Sequence, residues 1–271
     1  MEKQICIGWW SAGITSAVAC KLAIEAFPCV RLIYADTGSA HSDNNRFKQE
    51  CEKWYGQEIE THKNEKYVDH FDVIYKERYI NGPDGAKCTK ELKKRIRWRI
   101  EDDYAITLFN STTISHQIFG YEWETHQVNR AIRFLQQYPA AKGKFPLIER
   151  KLNKDQCAGI LLNAGIKIPK MYELGYPNNN CIGCVKGGKG YWNKIRMDFP
   201  NQFSRMVEAE RHLSHTCIKD VYLDELDPNE GKEGKIVLPN CGTFCELELA
   251  DIPVHNIEQV MGGKLNIYEA S

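Results

Sequence analysis

Over the first 120 residues, short apolar runs alternate with helical patterns, and that alternation constrains the fold more than any other feature of the chain. Gln4–Trp9 reads as a strand and Thr15–Ala26 as a helix, with Val18, Leu22 and Ala26 at a spacing of four. Val30–Ala35 is a second strand, Asn44–Tyr55 a second helix, and Ile59 marks a short third strand. Tyr67–Tyr79 and Thr89–Asp103 read as helices, Ala105–Phe109 and Ile114–Phe119 as further strands. Strands and helices alternating at this spacing predict a doubly wound α/β domain, a parallel sheet with helices on both faces. Ligands of such sheets sit beyond the carboxyl ends of the strands, where Trp9–Ser16 and Ala35–Asp43 fall.

The second half has a different pattern. Val128–Gln137 is helical, Lys142–Pro146 a loop, and Leu147–Glu149 a short strand. Asn153 caps a helix to Asn163, closed by Gly165, and Tyr176–Asn180 is a polar turn. Trp192–His215 is a long helical pattern interrupted at Pro200, and Asp224–Lys235 an exposed loop. The expected division is an α/β domain over 1–135 and a helical, cysteine-bearing region over 136–271.

The 36 Lys and Arg balance the 36 Asp and Glu, which argues against a chain held mainly by nonspecific attraction to nucleic acid. Basic charge is concentrated instead in Lys87–Arg99. No apolar run approaches the roughly 18 residues of a membrane span, and Met1–Gln4 lacks the apolar segment of a leader, so the expected location is the cytoplasm. Eleven cysteines without a leader point to buried thiols, metal ligands or reactive groups rather than a disulfide framework.

Several stretches carry chemistry. Ser11-Ala12-Gly13-Ile14-Thr15-Ser16 sits between strand and helix, and small residues, hydroxyls and a helix N-terminus suit a phosphate; a plain tight turn is the competing reading. Neither GxxxxGK[ST] nor GxGxxG occurs. Lys90, Lys93, Lys94 and Arg97 share one helical face, solvated or anion-binding. Cys88 opens that helix, where the dipole and the lysines favour thiolate. Cys181 and Cys184 form a CxxC, spaced to grip one metal or cluster. Arg130 and Arg133 are candidate anion ligands. His212, His215 and Cys217 have helical metal-ligand spacing, although a solvated pair is commoner, and Gly187–Gly190 reads as a turn.

The loop resembles the pyrophosphate loop, SGGxDS, of adenine nucleotide alpha-hydrolase-like (PP-loop) enzymes. Ser11, Gly13 and Ser16 match; Ala12 replaces a glycine, and Thr15 replaces the aspartate that ATP-cleaving members use. Ala12-Gly13-Ile14 is closer to the phosphoadenosine phosphosulfate reductase branch, and Asp36-Thr37-Gly38 followed by His41 resembles a segment of that family. The resemblance implies a Rossmann-like, adenine nucleotide alpha-hydrolase-like fold and an ATP or phosphosulfate nucleotide bound by Ser11–Ser16, Asp36, Thr37, Gly38 and Arg130. It implies a metal centre at Cys88, Cys181 and Cys184, with Cys245 or Cys241 as a further ligand: an iron–sulfur cluster of the 4Fe-4S type, or zinc. Cys241-Gly242 is similar to the segment holding the family's nucleophile, so Cys241, with Lys90 and Lys93, is the expected catalytic set. The implied activity is that of an oxidoreductase reducing a sulfonucleotide with a thiol donor, or of a transferase passing sulfur to an adenylated substrate. Implied partners are a sulfur or electron donor protein and, for the transferase, a nucleic acid; a dimer is one compatible assembly. The alternative is a non-catalytic nucleotide-binding partner protein with a structural zinc.

Overall fold

Along β1 (Lys3–Trp10) successive side chains enter opposite layers. Cys6 and Trp10 pack with helices α1 (Ile14–Ala26) and α2 (Asn44–Tyr55). Ile7 packs with Ile33, Ile96 and Ile100 on the other face. A strand covered on both faces has to be apolar almost throughout, as Ile5-Cys6-Ile7 is. The computed structural model describes residues 3–83, 85–105, 112–232, 234, 236–239 and 254–255.

Five parallel strands form the sheet in the order β3-β2-β1-β4-β5, with β2 Val30–Ala35, β3 Ile59–His62, β4 Thr112–Ile118 and β5 Gly143–Lys144. This is the doubly wound α/β fold expected. After β3 the chain crosses to the other side of β1, so the carboxyl ends of β1 and β4 flank a topological switch point. Gly8 lets α1 approach closely, since a Cβ there would lie 2.8 Å from Leu32 and 3.2 Å from the Cys20 sulfur.

The remaining helices are α3 (His70–Glu77), α4 (Lys87–Thr89), α5 (Arg95–Ala105), α6 (Thr125–Gln137), α7 (Pro146–Glu149), α8 (Lys154–Asn163), α9 (Lys170–Glu173), α10 (Lys189–Asp198) and α11 (Pro200–Leu213). A π-helical turn, Lys90–Lys94, joins α4 to α5. Leu147, Leu152, Cys157 and Leu161 of the second half share the core of α1 and β1. A separate cluster, with Trp192, Ile195 and Met206 against Phe71 and Ile74, joins α10 and α11 to α3. Fully buried Glu210 accepts the N–H groups of Cys217 (2.7 Å) and Leu223 (2.8 Å), fixing the turn after α11. No helix of the described residues is long and apolar enough to cross a membrane.

Several expectations need correction. Leu147–Glu149 is helical, because Pro146 presets the first helical φ and the helix turns Leu147 and Ile148 into two different buried clusters. The edge strand is Gly143–Lys144, inside the segment read as a loop. The helix expected over Tyr67–Tyr79 is shorter: Asp69 caps it by accepting the Asp72 N–H (2.8 Å), and Arg78 ends it in the left-handed region. Ala105 belongs to α5, and the rest of the strand expected over Ala105–Phe109 lies outside the described residues, as do Cys241 and Cys245. Asn153 forms the expected cap, with a reciprocal capping box to Gln156. The turn expected over Gly187–Gly190 lies earlier: it closes at Gly187, whose N–H donates to Cys184 O (2.9 Å), Gly188 is extended, and Lys189 and Gly190 open α10.

Candidate nucleotide and cysteine site

The loop after β1 is tied into a fixed shape. Ser16 Oγ donates to the Gly13 carbonyl (2.9 Å) and accepts from the Ser11 N–H and hydroxyl (3.0 Å each). Ala12 has φ +60°, a left-handed conformation that costs an L-residue about 1–2 kcal/mol. Its methyl group is fully buried. The Tyr172 hydroxyl packs against the loop, 3.3 Å from where a Cβ on Gly13 would lie, while the Ile14 side chain is buried in the core. Gly13 precedes α1 without a side-chain cap, so the helix N-terminus offers its dipole and N–H groups to an anion. The loop after β4 presses against it: a Cβ on Gly120 would lie 2.6 Å from Ser16 N and Cα.

Above the loop opens a cavity of about 560 Å³. Ser11, Gly13, Thr15 and Ser16 line its floor, and Thr37 and Cys181 one side. Lys93, Lys94, Arg97, Arg130, Arg133 and Lys154 supply positive charge. Glu122 is the one carboxylate lining it among the described residues, and lies 3.4 Å from Lys154. Burial raises the Glu122 pKa, against the pull of that lysine. Arg97 is 12% exposed and stacks at 4.7 Å on Tyr138 and 5.5 Å on Phe134, so its guanidinium is held in place before any ligand arrives. Arg130 lies 4.3 Å over Tyr121. Such a cavity binds a compact polyanion by electrostatics and N–H donors together.

Asp36 and Gly38 stand at the edge of this arrangement. Asp36 accepts the Gly38 N–H (2.9 Å) and pairs with Lys63 (3.0 Å), while its neighbours Ala35 and Thr37 line the cavity. Gly38 has φ +66°, and a Cβ there would strike the Val68 carbonyl at 2.0 Å. The Asp43 side chain, at the start of α2, makes no cap hydrogen bond; it holds Arg46 (2.7 and 2.8 Å) and accepts the Lys170 N–H (2.8 Å). Lys90 is exposed and lies outside the cavity lining.

The cysteine turn leans on the end of β2. The Cys181 sulfur is 3.1 Å from Thr37 Oγ1, and Ile182 N–H donates to Ser39 O (2.9 Å). Gly183 takes φ +78°, and the turn wraps one hydroxyl: Tyr191 accepts the N–H groups of Gly183 (3.0 Å) and Cys184 (2.9 Å) and donates to Cys181 O (3.1 Å). Buried His70 spans Ser39 Oγ (2.7 Å) and Gly183 O (3.1 Å). The carbonyl fixes the ring proton on Nε2, and burial lowers the His70 pKa to about 4.

Cys88 is expected from its helix position to favour thiolate, but its environment does the reverse. Burial, then the nearness of Cys181 and Cys184, pushes its thiol up to about 11, and Lys93 and Lys186 only partly oppose this. Burial likewise raises Cys184. The three thiols therefore share one region, although among the described residues no three His, Cys, Asp or Glu side chains are arranged to hold a metal ion. His212 and His215 are exposed: His215 Nε2 donates to Asn81 O (2.8 Å) and His212 meets the Tyr75 ring, while Cys217 lies against the α10–α11 cluster.

Tyr172, Asn179, Tyr191 and His70 hold the site together, and sequence reasoning did not single them out. Lone polar residues inside helices and turns carry no periodic or spacing signal. The one hint was Asn178-Asn179-Asn180 immediately before the CxxC.

Residues 6–107 match the phosphoadenosine phosphosulfate reductase domain, a match that spans β1 to the end of α5 and stops short of the cysteine turn. No curated protein matches the chain. The matched segment contains the loop, the Asp36-Thr37-Gly38 turn and the Cys88 helix, all placed about one cavity, so this part of the chain is similar to the phosphoadenosine phosphosulfate reductase domain.

Proposed function

We propose that this chain is an adenine-nucleotide-dependent enzyme of sulfur chemistry, acting on a sulfonucleotide held over Ser11–Ser16. One observation carries the reading: the phosphate-type loop, six cationic side chains and Cys181 line the same cavity. Thr15 stands where ATP-cleaving relatives have an acid, and the sole lining carboxylate among the described residues, Glu122, is beside Lys154. That charge pattern suits a phosphosulfate better than a magnesium-bound triphosphate, which needs carboxylate ligands. Loop N–H groups and the fixed Arg97 would bind the phosphate and sulfate oxygens and stabilise the charge that develops on the departing nucleotide. A thiolate, with Cys241 as the candidate, would attack the sulfonate sulfur and displace the nucleotide. A donor dithiol would then release sulfite and become a disulfide.

Cys88, Cys181 and Cys184 fit an iron–sulfur cluster in donor chemistry and in lying near one another, partly buried. Such a group would supply iron and polarisable sulfur near the sulfonate.

A second reading, sulfur transfer to an adenylated acceptor, is favoured by Arg130 and Arg133. They are exposed at the cavity rim, and no carboxylate pairs with them among the described residues. A polyanionic acceptor such as nucleic acid would use them. The test is anaerobically purified protein given phosphoadenosine phosphosulfate with a dithiol, or ATP. Sulfite release supports reduction and pyrophosphate release supports transfer. A colourless, zinc-containing sample that releases neither would overturn both in favour of a binding module.

A further inference from the structure

Ala12 is an alanine in a conformation that normally calls for glycine, and something must hold it there. Its carbonyl accepts a hydrogen bond of 2.6 Å from Asn179 Nδ2. The same amide nitrogen donates to Asn44 Oδ1 (2.7 Å), at the first residue of α2. With both amide hydrogens committed, the orientation of the carboxamide is fixed. Asn179 Oδ1 is buried and has no partner among the described residues, so the group is retained for its donor side. The Tyr172 hydroxyl packs against the loop at Gly13, 3.3 Å from where a Cβ there would lie. Asn179 itself grips the loop immediately before Gly13. Cys181 follows two residues later, against Thr37.

We propose that Asn179 is a positioning residue for the nucleotide loop: its carboxamide holds the Ala12 peptide in the left-handed conformation that presents the loop N–H groups to an anion. The same clamp fixes the spacing between that anion and the cysteine turn. Glycine at position 12 would adopt this conformation unaided, so the need for Asn179 is tied to the methyl group of Ala12.

This inference rests on the loop holding a phosphate or sulfate group, and the experiment separates the two. Binding of inorganic pyrophosphate and of ATP is measured by calorimetry for the wild type, Asn179→Leu, Ala12→Gly and the double variant. Leucine keeps the branched shape of asparagine and removes the donor. With Ala12 in place, Asn179→Leu is expected to weaken binding about tenfold or more; combined with Ala12→Gly, the loss shrinks to about threefold or less. An equal loss in both backgrounds, or none in the first, overturns the clamp. Should Asn179→Leu fail to fold, Asn179→Ala enters the same cycle with the same expectations. Should the wild type bind neither probe, the phosphate reading fails by itself, and amide hydrogen exchange of Ser11–Ser16 decides the clamp. Exchange about tenfold faster in Asn179→Leu supports it, and unchanged exchange refutes it.

Discussion

Lowering the pH attacks the cysteine turn through one side chain, His70. The ring is buried between Ser39 Oγ and the Gly183 carbonyl, and it is held neutral because burial disfavours the imidazolium; Asp69 only partly opposes this and Arg205 adds to it. In the unfolded chain the ring takes up a proton near 6.5; in the native protein it does so at about 4. Between those values the unfolded state binds more protons, so stability is complete above the window and falls as pH drops through it. A difference of that size corresponds to about 3 kcal/mol, a large fraction of the roughly 5–15 kcal/mol that holds a domain together. His70→Gln keeps an amide near Gly183 but cannot titrate. Urea unfolding of both proteins at a series of pH values gives the comparison. The wild type should lose about 3 kcal/mol more than His70→Gln between about pH 7 and about pH 4. Parallel stability curves would refute the assignment of a buried, neutral ring.

Three further perturbations have defined outcomes. Tyr191→Phe leaves the N–H groups of Gly183 and Cys184 and the Cys181 carbonyl without their shared partner, and should cost about 2–4 kcal/mol in denaturant unfolding. If the cysteines hold a cluster, visible absorption of the anaerobic protein should fall with it. Gly120→Ala drives a methyl group into the Ser16 backbone; it should lower nucleotide affinity about tenfold or more in a calorimetric titration, because the loop has to shift. Asn153→Ala removes the capping box of α8 and should lower stability by about 1 kcal/mol in denaturant unfolding.

The sheet was legible because buried strands and amphipathic helices leave periodic traces. Val30–Ala35 and Asn44–Tyr55 are delimited to the residue by their patterns, and the α8 cap follows from Asn153 and Gln156. Gly143–Lys144 left no trace, since a two-residue edge strand is defined by its neighbour and not by its own pattern. The loop, Cys88 and the CxxC are visible as motifs, and the fold does bring them to one place. What escaped was the scaffolding. The hydrogen bonds of Asn179, Tyr191 and His70 depend on segments that meet across more than 100 residues of chain or across a single turn, and neither leaves a signature in the sequence. The thiol of Cys88 is misread for a related reason. A dipole and lysines can be seen in the sequence, whereas desolvation cannot, and desolvation is the larger effect here.

The wide turn at Lys90–Lys94 acts like a shim in a screw thread. It takes up one residue more than an α-helical turn would, and it sets the rotational phase of everything downstream relative to Cys88. Excising a single residue there would restore ordinary pitch and spin α5 by about 100°. Arg97 would then swing off its two aromatic rings, while Ile96 and Ile100 would leave the underside of the sheet. Lengthening or shortening this turn by one residue is thus a route by which a related chain could change what its cavity accepts while leaving every strand in place.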